Sequence, residues 1–175
     1  NQEKIQLFFS SYIQTYVERD VRLFENIKDL EQFDIFLGLS AALTGQELNY
    51  SQLGREIGIS SVLASRWLAL LKHSYLWIET AAYSGNTIKR LSQKPKGYIA
   101  DTGLGCYLQR IASPDTLVRS FAKGAMFESY CVSLMHALSD NLGLPPKFYH
   151  WRTNGGAEVD VVLERDGMLY PIEIK

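Results

Sequence analysis

The spacing of hydrophobic positions changes character along the chain, and each change predicts an element. Over residues 1–28, Leu7, Phe8, Ser11, Tyr12, Thr15 and Tyr16 share one side of a helix, and Glu18 and Arg22 stand one turn apart, placed for an ion pair. In EQFDIFLGLSAALTG, Phe33, Phe36, Leu37, Ser40, Ala41 and Thr44 form a second helical face that Gly45 stops. Ser51 is placed to cap a short helix, SQLGREIG, ended by Gly58. After Ile59 and Ser60, SVLASRWLALLKHSY is a third helix with Leu63, Trp67, Leu70 and Leu71 as its apolar side. A short helix closed by Gly, a tight turn and a longer helix make a helix-turn-helix plan. Extended runs at 76–80 and 87–91, around Ser84-Gly85-Asn86, add a two-stranded wing.

Lys94-Pro95-Lys96-Gly97 closes this region. The reading therefore divides the chain into an N-terminal helical segment (1–28), a winged helix-turn-helix domain (29–97) and a third domain (98–175). The third opens on a strand at 97–101 entering a helix that Asp101 or Thr102 caps. A long helix over 116–139, bent or interrupted near Gly124, is expected to bury Phe127, Tyr130, Cys131, Leu134 and Leu138. Pro145-Pro146 breaks the chain, KFYHWR (147–152) is a strand, and Thr153-Asn154-Gly155-Gly156 turns.

The final stretch, AEVDVVLERDGMLYPIEIK, alternates acidic and apolar residues around Asp166-Gly167. That dipeptide is the strongest short hairpin signal, because a type I′ turn needs φ > 0 at both central residues. With a two-residue turn, Arg165 faces Met168, Asp160 faces Glu173 and Glu158 faces Lys175. Val159, Val161 and Leu163 then share the buried face with Tyr170, Ile172 and Ile174. Carboxylates directly opposite each other, about 5 Å apart at Cβ, repel. A cation between Asp160 and Glu173 removes the repulsion, and Mg²⁺ or Mn²⁺ suits an oxygen donor set. Lys175 beside them would orient a water and stabilise charge developing on a phosphate. The same alternation also describes a solvated hairpin face.

Charge adds a regional contrast. Net charge is −1 over 175 residues, which argues against a uniformly basic nucleic-acid binder. Residues 51–97, however, carry 7 basic and 2 acidic groups, against 4 and 8 in residues 1–50 and 7 and 9 in residues 98–175. Arg66, Lys72, Lys89, Arg90, Lys94 and Lys96 lie in that middle third and are the candidates for phosphate contact. Ser61, Ser65 and Arg66 are a thin set for reading bases, so sequence-specific recognition is not expected, and a winged helix serves protein docking as well.

Several function classes drop out. Cys106 and Cys131 form no CxxC pair and fit a reducing cytosol. His73, His136 and His150 have no zinc-ligand spacing. No GxxxxGK[ST] occurs, so this chain binds no ATP through a P-loop, and no nucleophile elbow is present. No apolar run nears the ~18 residues of a membrane span. The chain begins without Met and stops on Lys175, and reads as part of a longer cytoplasmic protein.

Asp160 followed by Glu173-Ile174-Lys175 resembles the D…(D/E)xK signature of restriction-endonuclease-like nucleases. YIQTYVERDV, LTGQELNYSQLGREIGIS, WLALLKHSYL, NTIKRLSQKPKGYIADTGL, GAMFESYCVSL and the final hairpin together resemble the C-terminal region of prokaryotic AAA-type ATPases, across nearly the whole chain. The resemblance implies an α+β architecture, a winged helix followed by a restriction-endonuclease-like domain whose closing helix and strand are missing. It implies a P-loop ATPase module elsewhere in the same protein as partner. It also nominates Glu128, on the preceding helix, to join Asp160, Glu173 and Lys175 as catalytic residues, with Asp160 and Glu173 as metal ligands; a partly exposed surface Glu is the other reading of Glu128. Two functions follow as expectations. One is a Mg²⁺-dependent phosphodiesterase whose winged helix contacts DNA; the other is an inert DNA- or protein-docking module regulating the ATPase.

Overall fold

The computed structural model describes residues 2–17, 19, 30–86, 93–143, 145–153 and 155–175. The expected Glu18–Arg22 pair and the expected wing strand at 87–91 lie outside them, as do Lys89 and Arg90. Among the described residues the fold is α+β, with seven α-helices and a mixed six-stranded sheet.

Helix α1 (Gln2–Tyr12) runs into a π-helical turn (Ile13–Val17) and seats Phe9 against Tyr107, with ring centroids 5.7 Å apart. Helices α2 (Leu30–Ala42), α3 (Tyr50–Ile57) and α4 (Ser61–His73) follow. Their ends are set locally. Asn49 rather than Ser51 caps α3: the helix begins one residue before Ser51, and extended Asn49 accepts the Gln52 N–H at 3.1 Å. Gly58, at φ +81°, closes α3 in the left-handed region. Gly54 lets the turn fold tightly, since a Cβ there would stand 2.7 Å from the Ile59 carbonyl. Ser60 accepts from Leu63 N–H to start α4. Phe33 and Phe36 then meet Trp67 edge-on at 5.3 and 5.2 Å, forming the centre of the main core with Leu68, Leu71 and Trp77.

The strands are β1 (Gln46–Glu47), β2 (Trp77–Ala82), β3 (Lys96–Ile99), β4 (Lys147–Arg152), β5 (Glu158–Arg165) and β6 (Met168–Ile172). They lie in the order β1-β3-β2-β4-β5-β6, with β2 and β4 parallel and the other neighbours antiparallel. Strand β3 starts at Lys96, so one continuous strand crosses residues 97 and 98. Gly97 is required there, because any Cβ would run into the Trp77 ring.

Asp101 caps α5 (Thr102–Leu108), accepting from Gly103 and Leu104 N–H at 2.8 and 3.0 Å. The expected helix over 116–139 is two helices, α6 (Pro114–Arg119) and α7 (Lys123–Ser139). The break falls at Ser120, in extended conformation with its Oγ accepting from Ala122 N–H, and Gly124 lies inside α7. The buried face of α7 is also not the expected one. Met126, Ser129, Val132 and Ser139 face inward, whereas Phe127, Tyr130, Leu134 and Leu138 are 47, 53, 45 and 63% exposed. Both faces are apolar enough to pack, and the sheet takes the one carrying small Ser129, whose Oγ sits 2.6 Å from Thr44 Oγ1.

The hairpin keeps the predicted turn: Arg165 pairs with Met168, and Asp166 and Gly167 have φ of +52° and +76°. The register holds to Val161–Ile172 and then ends. Asp160 and Glu173 are not a ladder pair, nor are Glu158 and Lys175, because Asp160 Oδ2 accepts the Ile174 N–H at 2.8 Å in place of a strand bond. Strict alternation fails on β5 as well. Tyr149 pairs with Val162 but Trp151 pairs with Val159, so β5 carries one extra residue, and consecutive Val161 and Val162 are both buried. Tyr170, expected inside, is 49% exposed on the edge strand β6.

Candidate functional site

Strand periodicity places Lys96 and Tyr98 on one face of β3, and α7 brings Glu128 to both. Lys96 Nζ lies 2.7 Å from Glu128 Oε1 and 3.3 Å from Glu158 Oε1, and the Tyr98 hydroxyl donates to Glu128 Oε1 at 2.8 Å. Thr44 supports the same junction, accepting from Ile99 N–H at 2.9 Å beside its contact with Ser129. Asp160, on β5, turns one oxygen to the Ile174 amide, and its charge is a lesser contributor to raising the Tyr98 pKa. Arg152 Nε reaches the second oxygen of Glu158 at 3.7 Å. A cleft of about 240 Å³ opens here, lined by Gly45, Glu47, Lys96, His150 and Glu158 among others.

Electrostatics agree with the geometry. Burial disfavours the charge on Lys96, but hydrogen bonding and attraction to Glu128 and then Glu158 outweigh it and raise its pKa. Burial, then the Glu128 carboxylate, push the Tyr98 phenol far above its ordinary range, so it stays a neutral donor. Burial lowers the pKa of His150, whose Nε2–H donates to the Lys94 carbonyl at 3.1 Å.

The site residues expected from sequence separate into two groups. Glu128 belongs to this cluster, Asp160 holds the Ile174 amide, and Glu173 and Lys175 are exposed and follow β6 on either side of Ile174. Of the phosphate-contact candidates, Lys96 is 6% exposed and bonded to Glu128 and Glu158. Lys72 pairs with Glu79 at 2.9 Å; Arg66 and Lys94 are exposed; Lys89 and Arg90 lie outside the described residues. Sequence reasoning missed Lys96, Tyr98 and Glu158 as members of one cluster. The signal available was the two-residue spacing of Lys96 and Tyr98 on a strand.

As arranged, the donor set suits an ammonium rather than a divalent ion. Lys96 already fills the space between Glu128 and Glu158, one Asp160 oxygen is engaged by an amide, and among the described residues no three Asp, Glu, His or Cys side chains converge.

Residues 123–175 match the family described as Domain of unknown function (DUF4143). "Uncharacterized protein Mb2031c" of Mycobacterium bovis and "Uncharacterized protein Rv2008c" of Mycobacterium tuberculosis are each 30% identical to it over 164 residues, covering 94% of this chain. The chain spans 36% of the length of each of these relatives. No solved structure matches it. No helix among the described residues is long and apolar enough to cross a membrane. Residues 1–115, well over half of the chain, match the model described as Domain of unknown function (DUF8612), and the chain belongs to that family.

Proposed function

We propose that this chain is a docking and regulatory module of a cytoplasmic protein built around an AAA-type P-loop ATPase, and that its nuclease-like residues hold the module together instead of cutting nucleic acid. The observation that carries this reading is the Lys96 ammonium bonded to both Glu128 and Glu158, which occupies carboxylate oxygens that a metal-dependent phosphodiesterase would turn to a metal ion. The fold in this reading is a winged helix, with α3, the Gly58 turn and α4 as its helix-turn-helix, followed by a restriction-endonuclease-like region. Phosphate contact is a weak theme: Lys96 is buried and Lys72 is paired with Glu79. The ATPase link rests on the sequence resemblance and on the match of residues 123–175 to the DUF4143 family. Calorimetric titration of the chain and of Asp160→Asn with Mn²⁺ and Mg²⁺ tests the proposal. Neither protein should bind; binding by the parent that vanishes in the variant would overturn it.

A second reading has one specific observation in its favour. Asp160 holds the Ile174 amide at 2.8 Å, which keeps Glu173 and Lys175, the chain neighbours of Ile174, beside it as the D…(D/E)xK pattern requires. In that reading Asp160 and Glu173 take Mg²⁺, Glu128 and Lys175 assist, and the winged helix contacts DNA. Metal-dependent cleavage of duplex DNA by the chain, abolished by Asp160→Asn and weakened steeply by salt, would establish it over the first.

A further inference from the structure

We propose that the groove between the C-terminal end of α4 and helix α7 docks an amphipathic helix of a partner protein, one whose apolar face is flanked by lysine or arginine; this rests on the docking-module reading and supplies its partner chemistry. The groove encloses about 730 Å³ and shares no lining residue with the Lys96 cleft, with Tyr75 and Trp77 on one wall and Tyr130 and Leu134 on the other. Three observations point to this occupant.

The first is the exposed stripe on α7. Phe127, Tyr130, Leu134 and Leu138 are spaced by three, four and four residues, the spacing along which a second helix packs. Contiguous exposed apolar surface of this kind marks an interaction site. Tyr130 and Leu134 carry the stripe into the groove. The opposite wall is β2, which lies between β3 and β4 in the sheet, so it offers side chains rather than an open edge for strand addition.

The second is charge. Among the groove's lining residues Glu79, Asp101 and Asp140 face one cation, Lys72, which is already 2.9 Å from Glu79. Burial lowers the pKa of His136, also in the lining, so it adds no positive charge at neutral pH. The rim therefore favours a basic partner.

The third is Tyr75. It sits just past the end of α4 at φ +58°, where its N–H bonds Lys72 O and Leu76 N–H bonds Leu71 O. That helix-ending motif favours glycine, and Gly58 fills the corresponding place after α3. The Tyr75 residue is 88% exposed, so no packing within the fold compensates for its strained backbone. An aromatic at the lip of an apolar groove is the residue type that anchors interfaces. Arg110, at φ +58° after α5, adopts the same motif outside the groove and is a built-in control.

The test uses two synthetic amphipathic peptides, leucine–lysine and leucine–glutamate, with identical apolar faces, titrated into the isotope-labelled chain by NMR. The leucine–lysine peptide should shift Tyr75, the Trp77 indole and Ala137 and bind about tenfold tighter than its acidic counterpart. Leu134→Ser should weaken that binding about tenfold. Tyr75→Gly should raise the melting temperature while weakening binding about fivefold, whereas Arg110→Gly should raise the melting temperature and leave binding unchanged. Equal affinities, shifts confined to other surfaces, no binding, or full affinity in Tyr75→Gly would each overturn the proposal. Loss of peptide discrimination in a chain that binds no Mn²⁺ sinks the groove alone. Mn²⁺ binding abolished by Asp160→Asn sinks the docking-module reading, whatever the peptides do.

Discussion

The ammonium of Lys96 lies 2.7 Å from Glu128 Oε1, joining β3 to the first turns of α7 through a contact shielded from solvent. Removing one partner of such a pair leaves the other charge buried and uncompensated. Lys96→Met should therefore destabilise the chain by about 3–5 kcal/mol, read from urea unfolding. The double variant Lys96→Met/Glu128→Gln should recover much of that loss, because no charge is then stranded. A fully additive double variant would show the pair is uncoupled.

The same cluster sets an alkaline limit. The Lys96 pKa is raised above its ordinary 10.5 in the fold, so its stabilisation is full below that value and is lost as pH rises through the folded pKa. Unfolding free energy should fall over that alkaline range in the parent, and Lys96→Met should remove this part of the slope.

An acid limit comes from the buried imidazoles. Burial, the leading cause, lowers the pKa of both His136 and His150 from 6.5, so the unfolded chain binds protons first as pH falls. Their contribution is complete above 6.5 and is lost as pH drops through the lower folded values. Chemical denaturation across that interval should show declining stability, with a shallower decline in His136→Phe, whose ring would keep the contact His136 makes with Phe148 at 4.6 Å.

Gly97→Ala should destabilise the chain by about 1–3 kcal/mol. Its methyl would collide with the Trp77 ring and stand 2.9 Å from Leu48 Cδ2, and both side chains are buried. Tryptophan fluorescence should report a displaced Trp77 in the folded variant, and an unchanged spectrum with parental stability would contradict the packing described.

Asp160→Ala removes a charge-assisted acceptor from the Ile174 amide. Hydrogen exchange at Ile174 should accelerate while β5 amides such as Leu163 stay protected, at a cost of about 1.5–3 kcal/mol. Unaltered exchange at Ile174 would mean that the C-terminal residues are held by something else.

Residues 49–60 show how much of this molecule is legible in sequence. Gly58 in the left-handed region, Ser60 capping α4 and Asp101 capping α5 are decided by groups within a few residues of each other, as is the Asp166-Gly167 turn. Such contacts leave a local signature because cap chemistry and φ > 0 restrict residue type directly. The Asn49-for-Ser51 difference is the usual size of error in placing a helix end.

Tertiary structure alone decided the rest. Helix α7 is apolar on two sides, and Thr44, 85 residues away from Ser129, selects the side that packs. The β5–β6 ladder stops one pair short of Asp160 and Glu173, where the Asp160 carboxylate takes the Ile174 N–H. Lys96 belongs by sequence to the basic middle third, yet burial beside Glu128 and Glu158 makes it a member of the carboxylate cluster. Local propensity and turn chemistry, written in adjacent residues, specified the elements. Which faces met, and which charges were shared, depended on chain segments far apart in sequence whose approach no periodicity encodes.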